Sequence, residues 1–155
     1  MMTKIDPKDV QRLRTESGAG VMDCKRALED AGGDYEKALG LLKQRGLESV
    51  AKKSGREAKE GVIASYIHGN GRVGSLVELA SETDFVSRGE DFQKLAREIA
   101  MQVAAMEPAS VEDLLEQPYI RDGSKKIKDL VTEVASTTKE NVHVRRIQRF
   151  ALGES

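Results

Sequence analysis

The hydrophobic period of this chain changes once along its length. Up to about residue 49 the apolar side chains recur three and four apart; from Val62 they alternate. A period near 3.6 belongs to a helix and a period of 2 to a strand, so no single regular architecture fits the whole chain. A helical module must be joined to a mixed one. In the first module Asp6 is a good N-cap and Pro7 falls at the first helical position, where its missing N–H costs nothing. Ile5 and Val10 occupy staple positions, and Val10 and Leu13 face inward. Ser17-Gly18-Ala19-Gly20 ends this helix. A second helix runs from about Val21 to Ala31, with Cys24, Ala27, Leu28 and Ala31 on one apolar face. Gly32-Gly33 stops it, and Asp34 caps a third helix whose face is Tyr35, Ala38, Leu39 and Leu42. Gly46 is expected to end that helix. Val21 and Met22 lie off the inward face, at the start of the second helix. They either touch the first helix or offer an apolar knob to a partner.

From Val50 to Lys59 the residues become small and basic, which reads as a linker. No aromatics are interleaved there to stack on bases. Val62, Ala64 and Tyr66 then alternate with Ile63, Ser65 and Ile67, Asn70-Gly71 predicts a type I′ turn, and alternation resumes at Val73. A helix is expected from about Glu90 to Met106, with Phe92, Leu95, Ala96, Ile99 and Val103 buried. Val111 to Gln117 allows two helical turns before Pro118. Asp122-Gly123-Ser124 predicts a turn with Ser124 capping another helix, which packs through Ile127, Leu130, Val131, Val134 and Ala135. Asn141 to Phe150 reads as a strand whose alternation slips, predicting a bulge near Arg145. The fold class is therefore α+β. A three-helix module (1–49) and a basic linker (50–60) precede a small antiparallel sheet packed with helices (61–155).

Charge and motif content exclude several functions. Basic and acidic residues number 25 and 26, a balance that argues against nucleic-acid binding by bulk charge. No apolar run is long enough to span a membrane, and the polar start Met1-Met2-Thr3-Lys4-Ile5-Asp6 does not read as a signal peptide. A single cysteine excludes an intramolecular disulfide and fits a reducing, cytoplasmic setting. No phosphate-binding loop is present. Cys24 reads as packing rather than as a nucleophile, and His68 and His143 have no ligand spacing around them. No cofactor or metal is expected.

One connection carries the most unusual residues. Thr83-Asp84-Phe85-Val86 follows the alternating segment Val73 to Leu79 and precedes a polar turn and a helix. Thr83 can cap a short helical turn. Phe85 is one of only three phenylalanines in a chain without tryptophan. A large ring beside the Asp84 carboxylate is either a plug folded into its own core or an anchor for a partner. Local sequence favours the plug, since most phenylalanines are core residues.

Four stretches resemble a known family. Arg12-Leu13-Arg14-Thr15-Glu16-Ser17-Gly18-Ala19-Gly20-Val21-Met22-Asp23-Cys24-Lys25-Arg26-Ala27-Leu28 resembles the N-terminal signature of bacterial elongation factor Ts. Glu82-Thr83-Asp84-Phe85-Val86 looks like its second signature. Leu114-Leu115-Glu116-Gln117-Pro118-Tyr119-Ile120 and Asn141-Val142-His143-Val144-Arg145-Arg146 resemble its C-terminal part. The resemblance implies a guanine-nucleotide exchange factor, not an enzyme in the covalent sense, that acts on elongation factor Tu. It implies an N-terminal module of ubiquitin-associated type. Arg14, Val21, Met22 and Lys25 match partner-binding positions. Thr83, Asp84, Phe85 and Val86 match the stretch that dislodges magnesium in the partner, so the anchor reading of Phe85 takes precedence. The chain carries one core unit where longer members carry two, which implies a homodimer formed through the 61–155 region. It departs from the pattern at Ser81, near which the family often has Cys or an apolar residue, and at Gly89, near which it often has Asn. Between Met106 and Leu114 it is tighter than other short members.

Overall fold

Helix α1, Pro7–Ser17, starts as its cap predicts: the Asp6 carboxylate accepts the Lys8 N–H at 2.9 Å. Gly18 ends it in the left-handed conformation (φ 71°), which lets its own N–H reach the Arg14 carbonyl at 2.9 Å. Helices α2, Val21–Asp30, and α3, Tyr35–Lys53, follow. Leu13, Cys24, Ala27, Leu28, Ala31, Ala38 and Leu42 form one buried cluster, with Ile5, Val10, Tyr35 and Leu39 packed at its margin. Small residues on α2 and α3 allow close approach, while burial of Leu13 and Leu28 contributes about 2 kcal/mol each. The expected stop at Gly46 is not used. Gly46 lies inside α3, which continues to Lys53. One interior glycine costs a helix only about 1 kcal/mol, and the flanking Gln44, Arg45, Leu47 and Glu48 are good helix formers.

The computed structural model describes residues 4–154, and the expectation about Met1 to Thr3 lies outside them. The chain divides between Lys52 and Lys53 into two compact units. In the second, β1 (Glu60–His68), β2 (Val73–Ser81) and β5 (His143–Ala151) form an antiparallel sheet in the order β1-β2-β5. Helix α5, Glu90–Met106, packs across one face of it. Phe92, Leu95, Ala96, Ile99 and Val103 of α5 are buried as predicted; Val77 and Leu79 of the central strand are buried too. Between these elements lie α4 (Asp84–Ser87), α6 (Val111–Glu116), β3 (Pro118–Tyr119), β4 (Asp122–Lys126) and α7 (Ile127–Thr138). The architecture is the expected α+β one, with helices followed by a small antiparallel sheet packed with helices.

Gly61 is required where β1 begins. Its φ is 144°, and a β-carbon there would collide with the Leu79 carbonyl of the neighbouring strand. The predicted bulge is present in β5: Glu78 pairs with Arg146 and Leu79 with Val144, leaving Arg145 as the extra residue. Two turn expectations are corrected. The β1–β2 loop is not a two-residue type I′ turn on Asn70-Gly71. His68 pairs with Val73, and the left-handed positions are taken by Gly69 (φ 44°) and Gly71 (φ 81°) rather than by Asn70. Ser124 does not cap a helix. Its N–H and hydroxyl both donate to the Asp122 carboxylate, which leaves residues 122–126 extended and paired with β3. Helix α7 instead begins at Ile127, where the Asp129 carboxylate accepts the Lys126 N–H at 2.9 Å.

Candidate partner-binding site

Strand β2 delivers the chain to α4 at the end of the sheet, where the ladder to β1 stops at the pair Glu60–Ser81. The turn that follows is braced from several sides. Thr83 caps α4 by accepting the Val86 N–H at 3.3 Å. The buried Ser81 hydroxyl donates to the Thr83 carbonyl at 2.9 Å. Ser87, also buried, donates to the Asp84 carbonyl, and the Gln93 amide donates to the Ser87 carbonyl. Gly89 fits tightly here, since a β-carbon on it would stand 3.2 Å from the Val86 carbonyl.

On this braced turn Val86 points inward and is buried, while Phe85 is 86% exposed. Phe85 is therefore not a core plug. Val86 and the α5 stripe fill the interior, and the ring stands in water with no packing of its own. Asp84 lies beside it, exposed, with its carboxylate 3.3 Å from the Arg88 guanidinium. A largely exposed phenyl on a turn fixed by hydrogen bonds is unfavourable for the free monomer and suited to insertion elsewhere.

A second set of bonds holds the same turn from behind. Glu140, just past the end of α7, accepts the Glu82 N–H at 3.1 Å, the Thr83 N–H at 3.0 Å and the Thr83 hydroxyl at 2.7 Å. In return the Glu82 carboxylate accepts the Asn141 N–H at 2.9 Å and lies 3.7 Å from the Arg56 guanidinium. Asn141, buried, donates its side-chain amide to the carbonyls of Ser54 and Arg56. Arg145, the bulge residue, donates to the Ala58 carbonyl and pairs with Glu78. Neither Glu140 nor Arg56 stands out in the sequence, and the signature that contains Glu82 does not announce its partners. Glu140 and Asn141 reach Glu82 across separations of more than fifty residues, and Arg56 reaches it from before β1; no local pattern announces such pairings.

The other candidates lie in the first unit. Val21 and Met22, in the first turn of α2, are 45% and 56% exposed and lie outside the buried cluster and its margin. Lys25 is exposed one turn later on the same helix, and Arg14 is exposed in the last turn of α1. Leu47 is a further exposed apolar residue of this unit that the sequence reading passed over. Cys24 is fully buried, and burial pushes its thiol above the usual range, against nucleophilic use. His143, half-buried beside Arg145, is pushed below the usual imidazole range by that burial first and by the neighbouring cation second. Among the described residues no cluster of three His, Cys, Asp or Glu side chains could hold a metal ion, and no helix is long and apolar enough to cross a membrane.

Comparison with known proteins identifies the family. A family model described as Elongation factor TS matches residues 82–155. Elongation factor Ts of Carboxydothermus hydrogenoformans is 43% identical over 190 aligned positions, covering 94% of this chain and 88% of that protein. The Desulforamulus reducens protein is 39% identical over 198 positions, covering 99% and 91%. The Coprothermobacter proteolyticus protein is 43% identical over 190, covering 94% and 96%. The chain belongs to the elongation factor Ts family. That membership makes it a translation elongation factor, and its relatives are bacterial. These alignments are all longer than the 155-residue chain, so other elongation factor Ts proteins carry residues that this one lacks. The junction between α5 and α6 is short: Glu107 turns the chain in the left-handed conformation (φ 49°), and Ser110 already caps α6.

Proposed function

We propose that this chain is a guanine-nucleotide exchange factor for elongation factor Tu, and that Phe85 is its working wedge. The observation that carries the reading is the 86% exposure of Phe85 on a turn held by its own hydrogen bonds. A GDP-bound GTPase grips its ligand with a phosphate loop and magnesium. To speed release, a factor must bind the nucleotide-free partner better than the GDP-bound one. Phe85 does this by entering an apolar crevice that is open only when the grip is loosened, and burying the ring contributes roughly 1.5–3 kcal/mol. Asp84 competes for groups that otherwise order the magnesium's surroundings; Thr83 and Val86 hold the turn from its cap and its buried side. Linkage makes the effect reciprocal: the factor by which the chain weakens GDP binding is the factor by which GDP weakens binding of the chain. No covalent bond is made or broken in this chain, and it needs no cofactor.

Two further parts belong to the proposal. Arg14, Val21, Met22 and Lys25 of the first unit form a second contact that supplies affinity rather than discrimination. Met22→Glu is therefore expected to raise the concentration for half-maximal exchange about tenfold with little change in the maximal rate. Titrating the chain against a fixed amount of partner checks this, and an unchanged half-maximal concentration counts against the contact. The second unit pairs with a second copy through the open face of its sheet, within residues 61–155.

The test of function uses elongation factor Tu loaded with fluorescent GDP and chased with unlabelled GDP. Acceleration by a substoichiometric amount of the chain is expected. Binding without acceleration would make the chain an adaptor and overturn the exchange reading.

A further inference from the structure

The turn that presents Phe85 lies beyond the last strand pair, so the sheet does not hold it. Glu82 and Thr83 bridge the gap, and both of their backbone N–H groups end on one oxygen of Glu140, while the Thr83 hydroxyl ends on the other. The same hydroxyl accepts the Val86 N–H that closes the first turn of α4. A single carboxylate thus fixes two consecutive peptide planes and the rotamer of the capping side chain, and Phe85 follows two residues later. Charge-assisted bonds of this kind are about twice as strong as neutral ones. The carboxylate is itself set from two sides. Lys139 precedes it in the left-handed conformation (φ 61°), and Asn141 follows it with its N–H on Glu82 and its amide on Ser54 and Arg56.

We infer that Glu140 is a positioning residue for exchange: it holds the Glu82–Thr83 backbone so that Phe85 is aimed before the partner arrives. The inference rests on the reading of Phe85 as the wedge. Rigidity of this sort matters for rate, because a ring that must find its orientation during the encounter loses part of its binding energy to ordering. The bonds that Glu140 accepts come from Glu82 and Thr83, so it acts on the ring through the backbone that carries it.

The experiment is a double-mutant cycle with four chains: wild type, Glu140→Ala, Phe85→Ala and the double variant. Glu140→Ala is expected to lower the maximal exchange rate roughly tenfold, while leaving the concentration for half-maximal exchange within about twofold. In the Phe85→Ala background the same substitution is expected to do almost nothing, since there is no ring left to aim. Glu140→Gln keeps a carbonyl oxygen for the two N–H groups and should restore most of the rate. Amide hydrogen exchange on the free chain supplies the structural arm: the Glu82 and Thr83 amides lose protection in Glu140→Ala while the β1–β2 amides keep theirs. Loss of protection across the β1–β2 amides in Glu140→Ala means the variant has not kept its fold, and Glu140→Gln then decides. A rate restored by Gln supports positioning, and a rate as low as that of Ala overturns it. A Glu140→Ala rate equal to wild type overturns the inference, as does an undiminished effect in the Phe85→Ala background. Wild-type exchange by Phe85→Ala would instead remove the wedge reading, and with it the aim assigned to Glu140.

Discussion

Phe85→Ala should lower exchange efficiency roughly 30-fold, the equivalent of about 2 kcal/mol, and should leave the thermal midpoint of the free chain within a degree or two. The two halves of this result have one cause. The ring is 86% exposed, so the fold gains almost nothing from it. The turn beneath it keeps its shape through Thr83, Ser81, Ser87 and Gln93, none of which touches position 85 with its side-chain bond. Truncation therefore removes an anchor without removing a core residue. A variant that loses global stability would show that the ring packs somewhere in solution. Stopped-flow release of fluorescent GDP and a thermal melt of the same preparation give both readings.

The second large effect concerns the sheet. One face of β1-β2-β5 is covered by α5; the other presents Ile63, Ile67, Leu76 and Phe150, exposed at 66%, 64%, 48% and 68%. The register brings three of these positions into two rows. Ile67, Gly74 and Phe150 stand in line across the three strands, and Ser65, Leu76 and Gln148 form the next row. Gly74 leaves the middle of the first row flat, and Ile67 lies over it. Leu152 continues the apolar surface past the end of β5. Farther along, the Glu78–Arg146 pair gives the face a polar edge. An apolar centre with a charged margin suits a two-fold contact with a second copy, since an isologous surface must complement itself. Ile67→Glu with Phe150→Glu should therefore raise the dimer dissociation constant by at least about 100-fold, because four apolar side chains are lost from one two-fold contact. Both substituted residues point away from the core, so secondary structure should persist. Light scattering at micromolar concentration should give a dimeric mass for the wild type and a monomeric one for the variant. A wild-type monomer over the whole concentration range would contradict the pairing.

Most of the elements were legible because their signals are local. Asp6 and Pro7 start a helix, the small-residue face of α2 is spaced for burial, and the slip in alternation before Ile147 marks the bulge at Arg145. The misreadings have local causes too. Gly46 carries a stop signal, but the good helix formers around it outweigh one glycine. Asn70-Gly71 carries a turn signal, but Gly69 and Gly71 take the left-handed positions and lengthen the loop. The candidate site divides the same way. The cap at Thr83 could be read from the sequence, whereas the direction of Phe85 could not. Of two adjacent apolar residues on one turn, only packing decides that Val86 goes in and Phe85 out, and only the family resemblance pointed that way beforehand. Glu140 was invisible, because a carboxylate after a helix signals nothing about an amide fifty-seven residues away.

The wedge account states that Phe85 discriminates between two states of the partner rather than simply adding affinity. The direct measurement is the dissociation constant of wild type and Phe85→Ala, each against nucleotide-free and GDP-bound elongation factor Tu, in one buffer by calorimetry. The account predicts that the substitution weakens binding to the nucleotide-free form about 30-fold and to the GDP-bound form by no more than about threefold. Equal weakening toward both forms would contradict it, because a contact made equally in both states shifts nothing between them.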